Sequence, residues 1–163
     1  MNPILLLTVG LPRSGKSTWA RMTDYPIVNP DSIRLSLHGQ AFFGPAEPMV
    51  WAIAHVMVEA LFKAGHRTVV LDAANVTKRR RAEWRSKEWN CDYVCFKTDK
   101  ETCIERARAS EHLDLIPIIE RMAKNLEWPE EDTPVGACLA RKGKGIGIFT
   151  SPTDVSGNLI TGP

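Results

Sequence analysis

The chain has 163 residues and a mass of 18.2 kDa, with 44% apolar and 25% charged residues. That leaves room for one core of ordinary size and excludes both wholesale disorder and a second full-sized domain. The net charge of +2, from 21 basic and 19 acidic residues, neither requires nor excludes a polyanionic partner, so the distribution of charge has to decide.

The first element is the apolar run Ile4–Val9, read as a buried strand and broken at once by Gly10 and Pro12. It is far shorter than the ~20 residues of a membrane helix and lacks the flanks of a signal peptide, so a cytoplasmic location without membrane association is expected. Lys16–Met22 reads as a helix, Ile27–Asn29 as a short strand, and Ile33–Leu37 as a helix capped by Asp31 or Ser32. His38–Pro48 reads as a loop. Met49–Lys63 has a helical apolar period and is stopped by Gly65. Thr68–Leu71 is a β-branched strand ending in Asp72, Thr77–Lys87 a basic helix, and Tyr93–Phe96 a strand. Thr98 with Glu101 forms a capping box for a helix to about Ala109, and Pro117–Leu126 is a further helix. Ile146–Phe149 is a candidate last strand, and a loose tail is expected over 151–163. Strands alternating with helices predict an α/β fold with a mostly parallel sheet covered on both faces. The cysteines Cys91, Cys95, Cys103 and Cys138 form no C-x-x-C pair and have no histidine at zinc spacing, so reduced thiols are expected.

The chemistry concentrates in Gly10-Leu11-Pro12-Arg13-Ser14-Gly15-Lys16-Ser17-Thr18, which contains G-x-x-x-x-G-K-[ST] between a strand and a helix. Glycines allow a tight turn whose N–H groups face phosphate oxygens, and the helix adds its positive end. Lys16 can reach the β- and γ-phosphates, and the Ser17 hydroxyl can ligate Mg²⁺. The loop therefore predicts nucleoside triphosphate binding without identifying the acceptor. Asn29-Pro30-Asp31-Ser32-Ile33-Arg34 follows the second strand, where ligands collect in such sheets. Asp31 is placed to take a proton from a hydroxyl, and Arg34, one turn on, to hold an acceptor phosphate. Spacing alone is equally compatible with a helix cap and a solvent-facing arginine. Asp72 is compatible with a metal-binding acid at a strand end and with a loop cap. Thr77–Lys87 carries six basic residues against one acid. It includes Arg79, Arg80 and Arg81, and Trp84 and Trp89 lie within or near it. This is either a solvated basic face or a strip for a nucleic acid backbone.

Gly10–Thr18, Asn29–Arg34 and Leu71-Asp72-Ala73-Ala74-Asn75-Val76-Thr77, with the arginines behind them, resemble the P-loop kinase module of bacteriophage polynucleotide 5′-hydroxyl kinases, relatives of the zeta toxins, over about residues 4–134. The resemblance implies a three-layer α/β/α P-loop fold over residues 1–150 with a helical lid at about 110–134. It implies ATP and Mg²⁺ as cofactors and transfer of the γ-phosphoryl group to a hydroxyl. By the same resemblance Lys16 and Ser17 hold phosphate and metal, Asp31 is the general base, and Arg34 grips the acceptor phosphate. Asp72 and Asn75 lie at the metal or the acceptor, with Arg79 and Arg80 beside the acceptor. Arg121 reaches the transferring group from the lid, although a salt bridge to Glu120 or Glu127 is the competing reading. The implied acceptor is a nucleic acid 5′-hydroxyl, DNA ahead of RNA, in a bacterial or phage-infected cell. A hydroxymethyl pyrimidine base in DNA, such as 5-hydroxymethyluracil, a small molecule, and a nucleotide-hydrolysing switch with no hydroxyl acceptor remain as alternatives.

Overall fold

A computed structural model describes residues 2–40 and 44–129. The readings for Ile146–Phe149, the tail, Cys138 and the last part of the lid segment lie outside the described residues. Four strands form one parallel sheet in the order β2-β3-β1-β4, comprising β1 (Ile4–Val9), β2 (Ile27–Val28), β3 (Thr68–Leu71) and β4 (Asn90–Cys95). Ile4 pairs with Thr68 on one side and Asn90 on the other, and Val28 pairs with Leu71. The helices are α1 (Lys16–Met22), α2 (Pro30–His38), α3 (Glu47–Lys63), α4 (Lys78–Ala82), α5 (Lys100–Ala109) and α6 (Ile116–Lys124).

The alternation along β1 divides the core. Leu5 and Leu7 pack with Val28, Val69 and Leu71 against Val50, Ala54 and Val58 of α3, together with Trp84 and Trp89. Leu6 turns the other way, with Val70, Val94 and Phe96, against Ala20 and Trp19 of α1. The result is the three-layer α/β/α sandwich, with strand interiors apolar on both faces as parallel sheets require. A third cluster sits at the carboxyl end of the sheet, where Cys103 and Ala107 of α5 meet Ile119 of α6 and Leu11 of the glycine loop.

Several local expectations are corrected. The cap of α2 is Asn29, whose side chain accepts from Ser32 N at 2.9 Å, rather than Asp31 or Ser32. Pro30 occupies the first helical position, where its missing N–H costs nothing. The cap of α5 is Asp99, accepting from Thr102 N at 2.8 Å, whereas the Thr98 hydroxyl is drawn off to Ser14 O at 3.1 Å. The basic helix is only Lys78–Ala82, because the chain then tightens (Trp84 N to Arg81 O, 3.2 Å) and carries Trp84 into the core. Trp84 is wholly buried and Trp89 nearly so, and neither is a surface platform for bases. Gly65, at φ 97°, ends α3 as expected: its N–H bonds Phe62 O at 3.0 Å, and His66 N bonds Leu61 O at 3.2 Å.

Candidate active site

The glycine loop joins β1 to α1 at the carboxyl edge of the sheet. Gly15 caps α1 at φ 104°, a conformation that disfavours any side chain. Gly10 is required for space: a Cβ there would lie 2.9 Å from both Phe96 O and Ser14 Oγ. Lys16 folds back into the loop it follows. Its Nζ donates to Leu11 O at 2.6 Å and approaches Ser14 Oγ at 3.5 Å, and the residue is 8% exposed. Burial lowers its pKa from 10.5 to about 8, with the negative charges of Asp72 and Asp31 offsetting part of that cost. A buried ammonium beside a ring of amides is set to receive an anion.

Two acids flank this cation. Asp72, which follows β3, is buried and accepts from Asn29 Nδ2 at 2.8 Å. Asn29 therefore caps α2 with one side-chain atom and fixes Asp72 with the other, joining the ends of β2 and β3. Asp31, in the first turn of α2, keeps its side chain 79% exposed. Between β1 and β3, the Thr8 hydroxyl donates to Ala73 O at 2.8 Å and accepts from Ala73 N at 3.1 Å. Asn75 takes the left-handed conformation (φ 46°) and its side-chain amide donates to Thr8 O at 2.9 Å. Asn75 is thus buried in the scaffold behind the loop, and its Oδ1 has no hydrogen-bond partner among the described residues.

Arg34 lies one turn from Asp31, as expected, but its guanidinium is engaged at all three nitrogens. Nη1 meets Asp31 Oδ1 at 2.5 Å, Nε meets Glu47 Oε1 at 2.5 Å, and Nη2 meets Glu47 Oε2 at 2.7 Å. The hydrogen bonds from Arg34 hold the Glu47 carboxyl below its ordinary value. The three consecutive arginines diverge. Arg79 is exposed, and Arg80 stacks 4.1 Å over Trp51 while pairing with Glu83 at 2.7 Å. Arg81 is buried, its Nη1 on Asn75 O at 2.9 Å.

A second set of contacts ties the loop to α5 and α6. Arg106 Nη1 donates to Arg13 O at 3.1 Å, and Arg13, itself at φ 66°, bonds Ser110 Oγ at the end of α5. Arg121 is exposed on α6. Its expected competitor Glu127 instead accepts from Lys78 N at 2.7 Å, capping α4. Sequence reading missed Asn29, Glu47 and Thr98 as site builders. Only Asn29 carried a local signal, an Asn before Pro at a helix start.

A cleft of about 520 Å³ opens at the β2 edge, lined by Arg21, Asn29, Ser32, Ile33, Ile53 and Asp72. Its α2 wall is the face opposite Asp31 and Arg34. Among the described residues no cluster of three or more His, Cys, Asp or Glu could hold a metal alone. Ser17 and Asp72 nevertheless fit Mg²⁺, which uses one or two protein oxygens and completes its shell with phosphates and water.

A parallel sheet in this order, with the glycine loop and its buried lysine at the carboxyl edge, defines a P-loop kinase-like fold. The family model described as an AAA domain matches residues 5–117, and the chain belongs to that family. Among curated proteins no match is found. The chain is similar to a chain of a Pnkp1/Rnl/Hen1 complex, at 30% identity and TM-score 0.59, over 64% of this chain and 39% of that one. It is also similar to a chain of the Pnkp1/Rnl/Hen1 RNA repair complex, at 18% identity and TM-score 0.57, over 83% and 50% respectively. A gluconokinase from Sinorhizobium meliloti 1021 matches at 20% identity and TM-score 0.56, over 83% and 81%. The chain thus spans half or less of the two Pnkp1/Rnl/Hen1 chains. The two neighbours below 25% identity bear on the fold alone. No helix among the described residues is long and apolar enough to cross a membrane.

Proposed function

We propose that the protein transfers the γ-phosphoryl group of ATP to a hydroxyl of a nucleic acid, with a polynucleotide 5′-hydroxyl as the first candidate acceptor. The observation that carries this reading is the buried Lys16 held in the glycine loop, with Asp31 and Asp72 both close enough to act on its charge. The triphosphate lies along the loop amides from Gly10 to Thr18, against Lys16. Ser17 and Asp72 would hold Mg²⁺, which when bound neutralises charge on the phosphates. Asp31, exposed at the start of α2, takes the proton of the attacking hydroxyl. Arg121 approaches from α6 to balance charge on the transferring group. Transfer needs little covalent chemistry from the protein beyond this placement.

Support for a nucleic acid comes from the 30% identical chain in the Pnkp1/Rnl/Hen1 complex and from the exposed Lys78, Arg79, Arg85 and Lys87. A second reading, a hydroxymethyl group on a pyrimidine base in DNA, is favoured by one observation: Arg34, the expected phosphate grip, is filled by Glu47 and Asp31. The test is γ-labelled ATP with a 5′-hydroxyl oligonucleotide, DNA or RNA, or with a duplex containing hydroxymethyluracil. Label at the 5′ end supports the first reading and label on an internal base the second. Label released only as free phosphate overturns both.

A further inference from the structure

An arginine fork binds a carboxylate and a phosphate in the same way, through two parallel N–H···O bonds. In this chain the carboxylate is internal. Glu47, in the first turn of α3, presents both oxygens to Nε and Nη2 of Arg34, and Asp31 takes Nη1. No donor-bearing nitrogen of the guanidinium is left without a carboxylate. Glu47 is itself fixed from behind, since Trp51 Nε1 donates to its Oε2 at 3.2 Å. Trp51 in turn carries Arg80 on its ring at 4.1 Å and lies 5.8 Å from Arg34. The Arg34 side chain is only 10% exposed and that of Glu47 20%, so the pair is partly shielded from water, whereas Asp31 on the third nitrogen is open to it. Two carboxylates on one guanidinium leave that trio with one excess negative charge, which the nearby Arg80 partly offsets.

Building on the proposed phosphoryl transfer, we propose that Glu47 is the specificity-determining residue of the acceptor side: it occupies the phosphate fork of Arg34, so that a phosphate neighbouring the acceptor hydroxyl contributes little to binding. Such a phosphate gains the side-on Nε/Nη2 fork only by displacing the Glu47 carboxylate, exchanging one anion for another. The chain then selects acceptors by the hydroxyl and its surroundings rather than by an adjacent phosphate. Arg34 acts as a positioning residue that holds Asp31 by ion pairing.

The experiment compares thymidine with thymidine 3′-monophosphate, two 5′-hydroxyl acceptors that differ by one phosphate. Each is titrated calorimetrically into protein saturated with ADP and Mg²⁺, which blocks the glycine loop, and each is also run as acceptor for KM and kcat. The wild type is expected to bind the two within about twofold of each other. Glu47→Gln, which keeps the shape but removes the charge, is expected to bind the monophosphate at least tenfold more tightly than the wild type does. That gain should show in KM rather than kcat and vanish in the Arg34→Gln/Glu47→Gln double variant. Glu47→Ala is the second single variant, with the same expected direction. A wild-type preference of tenfold or more for the monophosphate, lost in Arg34→Gln, would overturn the proposal. So would the absence of any gain in both Glu47 variants. Failure of transfer to every hydroxyl would refute the proposed activity, yet the binding ratios would still decide the role of Glu47.

Discussion

Proton uptake on nucleotide binding follows from the burial of Lys16. Its pKa falls from 10.5 to about 8, a shift dominated by burial. At 1.36 kcal/mol per pKa unit, keeping the ammonium charged in the folded apo protein costs about 3 kcal/mol. The folded pKa lies below the unfolded one, so between about pH 8 and 10.5 the unfolded chain binds more protons. The cost is fully present below pH 8 and is relieved as pH rises to 10.5, and apo stability gains from this group across that window. A triphosphate against Nζ restores the charged form. With an apo pKa of 8, binding at pH 9 then takes up about 0.9 proton, against about 0.1 at pH 7, and affinity falls toward tenfold per unit above pH 8.

The assay is calorimetric titration of a non-hydrolysable ATP analogue with Mg²⁺ in paired buffers of different protonation enthalpy, at pH 7 and 9. Cys103, the thiol that interacts with Lys16, is pushed up to about 11 by burial and stays protonated throughout. Lys16→Met should abolish the pH-dependent uptake and weaken binding. An uptake that does not change between pH 7 and 9, or that persists in Lys16→Met, would refute the assignment of the buried ammonium as the phosphate counter-charge.

Other outcomes are checked separately. Asp31→Asn should retain nucleotide affinity and lose about 10²–10⁴ in kcat, read by single-turnover transfer, if that carboxylate is the base. Arg121→Ala should likewise lower kcat far more than it changes ATP binding. Gly10→Ala should destabilise by about 1–3 kcal/mol in urea denaturation and weaken nucleotide binding, because the added carbon meets Phe96 O and Ser14 Oγ at 2.9 Å. Thr98→Val should cost about 1 kcal/mol by the same measurement, from the lost bond to Ser14 O. Replacing Lys78 and Arg79 by Ala should flatten the salt dependence of single-strand binding by about 0.7 per cation removed, read as the slope of log K against log salt.

The elements that sequence reading placed best are those where one local cause dominates. β1, α1 and β3 agree with the expected bounds at both ends, because an apolar or β-branched run meets an unambiguous stop or a glycine loop. The failures arise where a long-range contact outbids a local one. The box at Thr98 and Glu101 was locally sound, yet the Thr98 hydroxyl bonds Ser14, 84 positions away in sequence, and Asp99 takes over the cap. The tryptophans beside the basic residues looked like a binding platform, since composition cannot tell a buried ring from an exposed one. Arg34 was placed correctly on α2, but its partner Glu47 is 13 residues on, in a helix of its own, and no spacing rule connects them.

The same separation between local and distant causes governs the charge at the loop. Lys16 bonds the carbonyl of Leu11, and the Leu11 side chain packs with Cys103, Ala107 and Ile119. One residue therefore presents its backbone to the phosphate cation and its side chain to the helix that carries Arg121. Arg106 holds Arg13 O and Thr98 holds Ser14 O from the same side. Leu11 thus links the buried ammonium to the packing of α5 on α6, and in the proposed mechanism the setting of Lys16 and the approach of Arg121 share that link. A rearrangement of α5 and α6 would alter both at once, which is why the glycine motif read by itself, though sufficient to predict a phosphate site, carries only half of the physical argument for its strength.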